Sequence, residues 1–167
     1  IKDSVSLEGV GIHTGKDVKL TFHPAKENTG YIFKRVDLDD KPEIEALAKY
    51  VVNTQRGTTL EKDGVKLKTT EHVLAALVGL EIDNILIEIN AEEPPIMDGS
   101  SKFFVNALEK AGLKELSSLR KEYIVKDVIS FNDPDSGSEI TLIPSENYQI
   151  TTMVDYETKV LGTQNAT

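Results

Sequence analysis

Glu71 and His72 stand side by side in "TTEHVLAAL", Thr69 to Leu77, where a polar stretch gives way to an apolar run. A neutral imidazole can ligate zinc, and an ionised carboxylate can take a proton from water that the metal activates. Neighbours on a helix point about 100° apart, so the two do not easily ligate one metal together. One ligand plus one base is the sensible division. A helix N-terminus carries partial positive charge, which favours an ionised Glu71 and a neutral His72. A plainer reading competes: an acidic residue in a first helical turn suits the macrodipole, and an exposed histidine beside it needs no function. On the dipeptide alone the plainer reading is the stronger, because two residues are so unspecific a motif.

Other chemistry-bearing residues are few. The chain has no cysteine and only three histidines, His13, His23 and His72, so disulfides and thiolate metal sites are excluded. "GVGIHTG", Gly9 to Gly15, invites comparison with a phosphate loop, but its glycine spacing is wrong and a strand follows it; a hairpin turn accounts for it. His13 lies near the tip of that turn, and His23 in "TFHPA" reads as a surface histidine at a strand end. "MDGSS", Met97 to Ser101, offers a carboxylate and two hydroxyls, yet a turn that caps a helix explains every residue in it.

The elements that must position these groups follow from hydrophobic periodicity. "DVKLTF" alternates, with Val18, Leu20 and Phe22 on one face of a strand. "YIF" at 31–33 and "VVNTQRGTTL" at 51–60 read as further strands, the latter bent at Gly57. "TTEHVLAALVGL" is helical, with Val73, Leu74, Leu77 and Val78 as its stripe and Gly79 near its end. "NILIEIN" alternates Ile85, Ile87 and Ile89. After the loop "AEEPPIMDGSS", Ser100 or Ser101 can cap a second helix whose stripe is Phe103, Phe104, Ala107, Leu108 and Ala111, stopped by Gly112. The polar stretch "LKELSSLRKEY" marks a boundary. Beyond it only strand-like runs remain, "YIVKDVIS", "EITLI" and "YQITTMV".

The expected fold class is therefore α+β: a two-layer sheet and helix lobe over residues 1–117, then an incomplete second lobe of the same kind over 118–167, strands only. A three-stranded sheet with no covering helix leaves an apolar face open. The net charge of −9 argues against nucleic-acid binding and against a polybasic membrane-surface role. No run of about 18 apolar residues exists to span a membrane. "IKDSVSLEG" lacks the features of a signal peptide, so the "NAT" sequon at Asn165 reads as accidental and the cytoplasm is the default.

Taken together and in order, "VGIHTG", "HPAKENTGYIFKRVDL", "TTEHVLAALVGLEIDNILIEINAEEPPIMDGSS" and "FFVNALEKAG" resemble the UDP-3-O-acyl-N-acetylglucosamine deacetylase family. These are zinc amidases of lipid A biosynthesis in Gram-negative bacteria. The similarity runs unbroken from about Ser6 to Leu113 and more weakly to Tyr156. It implies two α+β lobes, each a sheet layered on two helices, with the active site between them. By position it implies Glu71 as general base and His72 as first zinc ligand. Thr58, in "TQRGTTL", would line the entrance for the acyl chain, and Asp155 and Tyr156, in "MVDYE", would bind the uridine moiety. The family often has Phe where Tyr156 stands, and Tyr keeps the stacking face. The implied substrate is UDP-3-O-acyl-N-acetylglucosamine, from which the N-acetyl group is hydrolysed.

One departure from the family is large. A catalytic zinc needs about three protein ligands, and the family supplies the others from an H-x-x-x-D helix in its second lobe, with a further His as general acid. No histidine follows His72 here. The expectation is an N-terminal portion of a longer enzyme, with the remaining Zn2+ ligands beyond Thr167 and the rest of the second lobe joined covalently or as a separate piece. Alone, this portion should be inactive. Some members of the family carry a fused dehydratase domain. The rival reading is a non-catalytic α+β binding module. A small-molecule kinase on a similar two-layer fold is disfavoured, because no glycine loop precedes a helix.

Overall fold

Alternating apolar residues build the central sheet. In β2 (Asp17–Pro24) Val18, Leu20 and Phe22 are buried while their neighbours face outward. In β8 (Ile85–Ile89) the three isoleucines are fully buried and Leu86 and Glu88 are half-exposed. This is the period-two signature of a sheet with one face on a core. β2 and β8 pair antiparallel, Leu20 opposite Ile89 and Phe22 opposite Ile87. β1 (Val5–Val10) joins the outer edge of β2 as a hairpin, and β3 (Tyr31–Arg35) lies parallel to β8, with Phe33 opposite Ile87. β4 (Glu43–Glu45) completes the order β1-β2-β8-β3-β4.

The computed structural model describes all 167 residues and divides them into two units, Ile1–Arg120 and Lys121–Thr167. Within the first unit a second, small sheet follows a single 3-10 turn at Ala48–Tyr50. Its strands are β5 (Val51–Asn53), β6 (Thr59–Lys62) and β7 (Val65–Leu67), in that order. "VVNTQRGTTL" is thus two short strands around a turn rather than one bent strand. Buried Arg35 fastens the two sheets. Its guanidinium donates two bonds to Asp37, at 2.8 and 2.7 Å, and one to the Lys66 carbonyl at 2.8 Å. The bonds from Arg35 outweigh the effect of burial and hold the Asp37 carboxyl below the usual carboxylate range.

Both helices bury residues in the same core as the sheet, which makes the unit α+β in two layers. α1 (Glu71–Gly79) buries Val73, Ala76 and Leu77. The stripe read from sequence needs one correction here: Val78 is 45% exposed and Ala76 takes its place. At about 100° per residue, Val78 lies some 140° from Val73, whereas Ala76 lies about 60° away on the other side. α2 (Lys102–Ala111) buries Phe104, Ala107, Leu108 and Ala111, but Phe103 is 43% exposed, one helical step off that face. Phe104 meets Phe22 edge-to-face with ring centres 6.5 Å apart. Gly112, at φ +72°, ends α2 in a conformation only glycine adopts without strain. The chain start seals that end, Lys2 and Asp3 donating to the carbonyls of Gly112 and Ala111.

The second unit contains two antiparallel hairpins. β9 (Ile129–Asp133) pairs with β10 (Ser138–Leu142), and β11 (Thr152–Asp155) with β12 (Thr163–Ala166). The run "YIVKDVIS" is not a strand along its length; pairing begins only at Ile129. Ile129, Phe131, Ile140, Met153 and Val154 are all exposed.

Candidate functional site

The start of α1 is built by what precedes it. Thr70, fully buried, donates its backbone N–H and its hydroxyl to the Thr58 carbonyl, at 3.2 and 3.1 Å. Its own carbonyl accepts the Leu74 N–H at 3.0 Å, the first bond of the helix. Thr58 answers in the other direction. Its N–H donates to Glu71 Oε2 at 2.8 Å. Thr58 and Thr70–Glu71 are thereby clasped, and the Glu71 carboxylate is fixed at one oxygen.

The other oxygen is left toward His72. Glu71 Oε1 lies 3.9 Å from His72 Nε2, and the two side chains are 36% and 30% exposed, so both reach solvent from a shared ledge. Gly57 closes one flank: a methyl group there would stand 3.3 Å from Glu71 Oε1, tighter than ordinary contact. From the residue just before α2, Ser101 donates its hydroxyl to the His72 carbonyl at 2.9 Å. "MDGSS" therefore does more than begin a helix. Ser100 Oγ accepts the Lys102 N–H at 3.2 Å and donates to Asp98 at 2.7 Å, while Ser101 makes no cap bond and instead binds α1.

Thr58, Glu71 and His72 thus come together in the first unit. Asp155 and Tyr156 belong to the second unit, adjacent at the end of β11. Asp155 Oδ1 accepts the Glu157 N–H at 2.9 Å, and the Tyr156 N–H bonds the Gly162 carbonyl at 3.1 Å, closing the turn toward β12. His23 is held between Ser4 Oγ at 2.9 Å and Glu88 at 3.2 Å on the sheet surface. "GVGIHTG" is the hairpin turn between β1 and β2, with Gly15 at φ +63° and its N–H bonded to the Gly11 carbonyl.

Glu93 is a residue that sequence reasoning passed over. Fully buried, it accepts bonds from the backbone of His13 and Thr14 and from the hydroxyls of Thr14 and Thr69. Burial alone raises its carboxyl, and these donors outweigh it and hold the group below the usual carboxylate range. A glutamate before two prolines carries no local signal of this. No three His, Asp or Glu side chains in the chain cluster closely enough to hold a metal ion.

An α+β unit that presents a carboxylate and an imidazole together at a helix start is the class of protein so defined. A family model, LpxC: UDP-3-O-acyl N-acetylglycosamine deacetylase, matches residues 1–167, and the chain belongs to that family. It is 46% identical to a bifunctional enzyme LpxC/FabZ of Bacteroides thetaiotaomicron, across 100% of this chain and 36% of that protein. It is 43% identical to a UDP-3-O-acyl-N-acetylglucosamine deacetylase of Idiomarina loihiensis, across 94% of this chain and 51% of the relative. A deacetylase of the same name from Alcanivorax borkumensis is 39% identical across 99% of this chain and 54% of the relative. The chain thus spans about a third of the first relative and about half of the other two.

Proposed function

We propose that this segment supplies the general base and one zinc ligand of an enzyme that hydrolyses the N-acetyl group of UDP-3-O-acyl-N-acetylglucosamine. The enzyme serves lipid A biosynthesis and acts in the cytoplasm of a Gram-negative bacterium. The observation that carries the reading is the Glu71–His72 ledge, anchored on both sides, in a chain that its family matches from end to end.

The donors present fit zinc in part. His72 offers a partly exposed imidazole, a normal zinc ligand, and Glu71 stands beside it as a carboxylate. A catalytic site takes about three protein ligands, so the others come from residues of the enzyme outside this segment. Zinc, when bound, polarises the amide carbonyl and acidifies the attacking water.

The residues here have separate tasks. Glu71 Oε1, free of the Thr58 bond, accepts the proton that water loses as it attacks. Oε2, bound by the Thr58 N–H, keeps the carboxylate from turning away. Ser101 holds the first turn of α1, and with it the backbone of His72. The Thr58 side chain forms part of the wall for the acyl chain. Asp155 hydrogen-bonds the uridine moiety, and the Tyr156 ring stacks on its base.

The test is acetate release from UDP-3-O-acyl-N-acetylglucosamine by the full-length enzyme carrying this segment. Activity should vanish with a chelator, return with zinc, and be lost with the bound zinc in His72→Ala. Absence of acetate release, or release indifferent to chelation, overturns the reading.

A further inference from the structure

Glu93 takes no part in the reaction just described, yet its bonds lead to the residues that do. Oε2 accepts the His13 N–H at 3.0 Å, the Thr14 N–H at 3.0 Å and the Thr14 hydroxyl at 3.1 Å. Oε1 accepts the Thr69 hydroxyl at 2.8 Å and a longer bond of 3.3 Å from the His13 N–H. The β1–β2 turn is shaped to close on this carboxylate, since a methyl group at Gly11 would come within 2.6 Å of Oε2. An isolated buried carboxylate is strongly disfavoured, so a fully partnered one locks its donors in place.

Thr69 is the donor that matters. Its φ is +52°, a left-handed conformation that a β-branched residue adopts only when its surroundings hold it there. Two bonds do so. Thr69 Oγ1 reaches Glu93, and the preceding residue Lys68 donates its N–H to the Glu92 carbonyl at 2.8 Å. Thr69 then hands the chain to Thr70, which clasps Thr58 and opens α1. The Thr69 hydroxyl also borders Gly57, where an added methyl would stand 3.5 Å from it and 3.3 Å from Glu71 Oε1. From Glu93 to Glu71 the path is unbroken.

We infer that Glu93 is a positioning residue: acting through the Thr69 hydroxyl, it holds the strained entry to α1 and so sets Glu71 and His72 for the reaction. This rests on the deacetylase reading above. Small misplacements of a base are costly, on the order of 10²-fold in rate for 1 Å.

The experiment uses the full-length enzyme and variants at Thr69, because Glu93→Gln turns an amide N–H toward existing donors and risks the fold. Thr69→Val keeps the shape and removes the hydroxyl, and Thr69→Ser keeps the hydroxyl. Thr69→Val should lower kcat about 10- to 100-fold, the range for partners that orient a reacting group, with KM little changed, while Thr69→Ser stays close to wild type. Amide hydrogen exchange should quicken at Thr70 and Leu74 in Thr69→Val and remain unchanged in β2 and β8. An unaltered kcat in Thr69→Val overturns the inference. So does Ser failing as badly as Val, or exchange that rises across the whole core. If wild type releases no acetate, the deacetylase reading fails instead, and the exchange pattern alone still decides whether Glu93 holds the helix entry.

Discussion

Glu71 is held by one hydrogen bond and flanked by one glycine, and each makes a prediction. The Thr58 N–H fixes Oε2, and the missing side chain at Gly57 leaves room for Oε1. Gly57→Ala should force the carboxylate or the turn to shift by a few tenths of an ångström. Steady-state assays of the full-length enzyme should find kcat lower by about tenfold, less than for loss of the base itself. Glu93 predicts a pH effect. Its folded-state carboxyl lies below the ordinary value, so between the two values the unfolded chain binds the proton that the folded chain does not. Stability from Glu93 is therefore full above about pH 4.3, the ordinary glutamate value, and is lost as pH falls through the folded value. Urea midpoints measured from pH 6 downward should drop in wild type and drop less in Glu93→Gln, which starts lower. At this scale the sequence was legible only in part. Glu71 and His72 stood out as neighbours with complementary chemistry. Glu93 did not, because its partners His13 and Thr14 lie 80 and 79 residues away in the chain.

The elements were legible where burial has a clean period. β2 and β8 alternate strictly because one face meets the core and the other solvent, and their isoleucine, valine and phenylalanine content suits a pleated surface. Helix faces were less legible. Valine and phenylalanine occupy positions on α1 and α2 that a simple stripe would bury, yet Val78 and Phe103 turn outward. The parallel pairing of β3 with β8 was not legible at all, since it joins strands separated by an entire small sheet and a helix. Phe104 is fully buried against Phe22, so Phe104→Ala should cost about 3–5 kcal/mol of stability. Chemical denaturation should show this as a lower midpoint with an unchanged slope.

As a whole the molecule joins a well-filled first unit to a second whose apolar side chains are exposed. Phe131 and Ile140, cross-strand partners in β9 and β10, are both exposed, an apolar pair of the kind that seeks a partner. The 167-residue segment by itself should therefore associate as its concentration rises, which sedimentation velocity would register as a growing mean mass; a concentration-independent monomer would count against it. With no third His, Asp or Glu near His72, the segment should not retain zinc at one equivalent after dialysis.

The central claim is that Glu71 is the general base, and one comparison tests it most directly. Acetate release by the full-length enzyme is measured for wild type and for Glu71→Gln, with zinc content determined on the same samples. Glutamine can still accept the Thr58 N–H but cannot take a proton from water. The account predicts full zinc occupancy with a rate lower by about 10²- to 10⁴-fold, the usual worth of a general base. A Glu71→Gln enzyme with zinc bound and wild-type rate would contradict it.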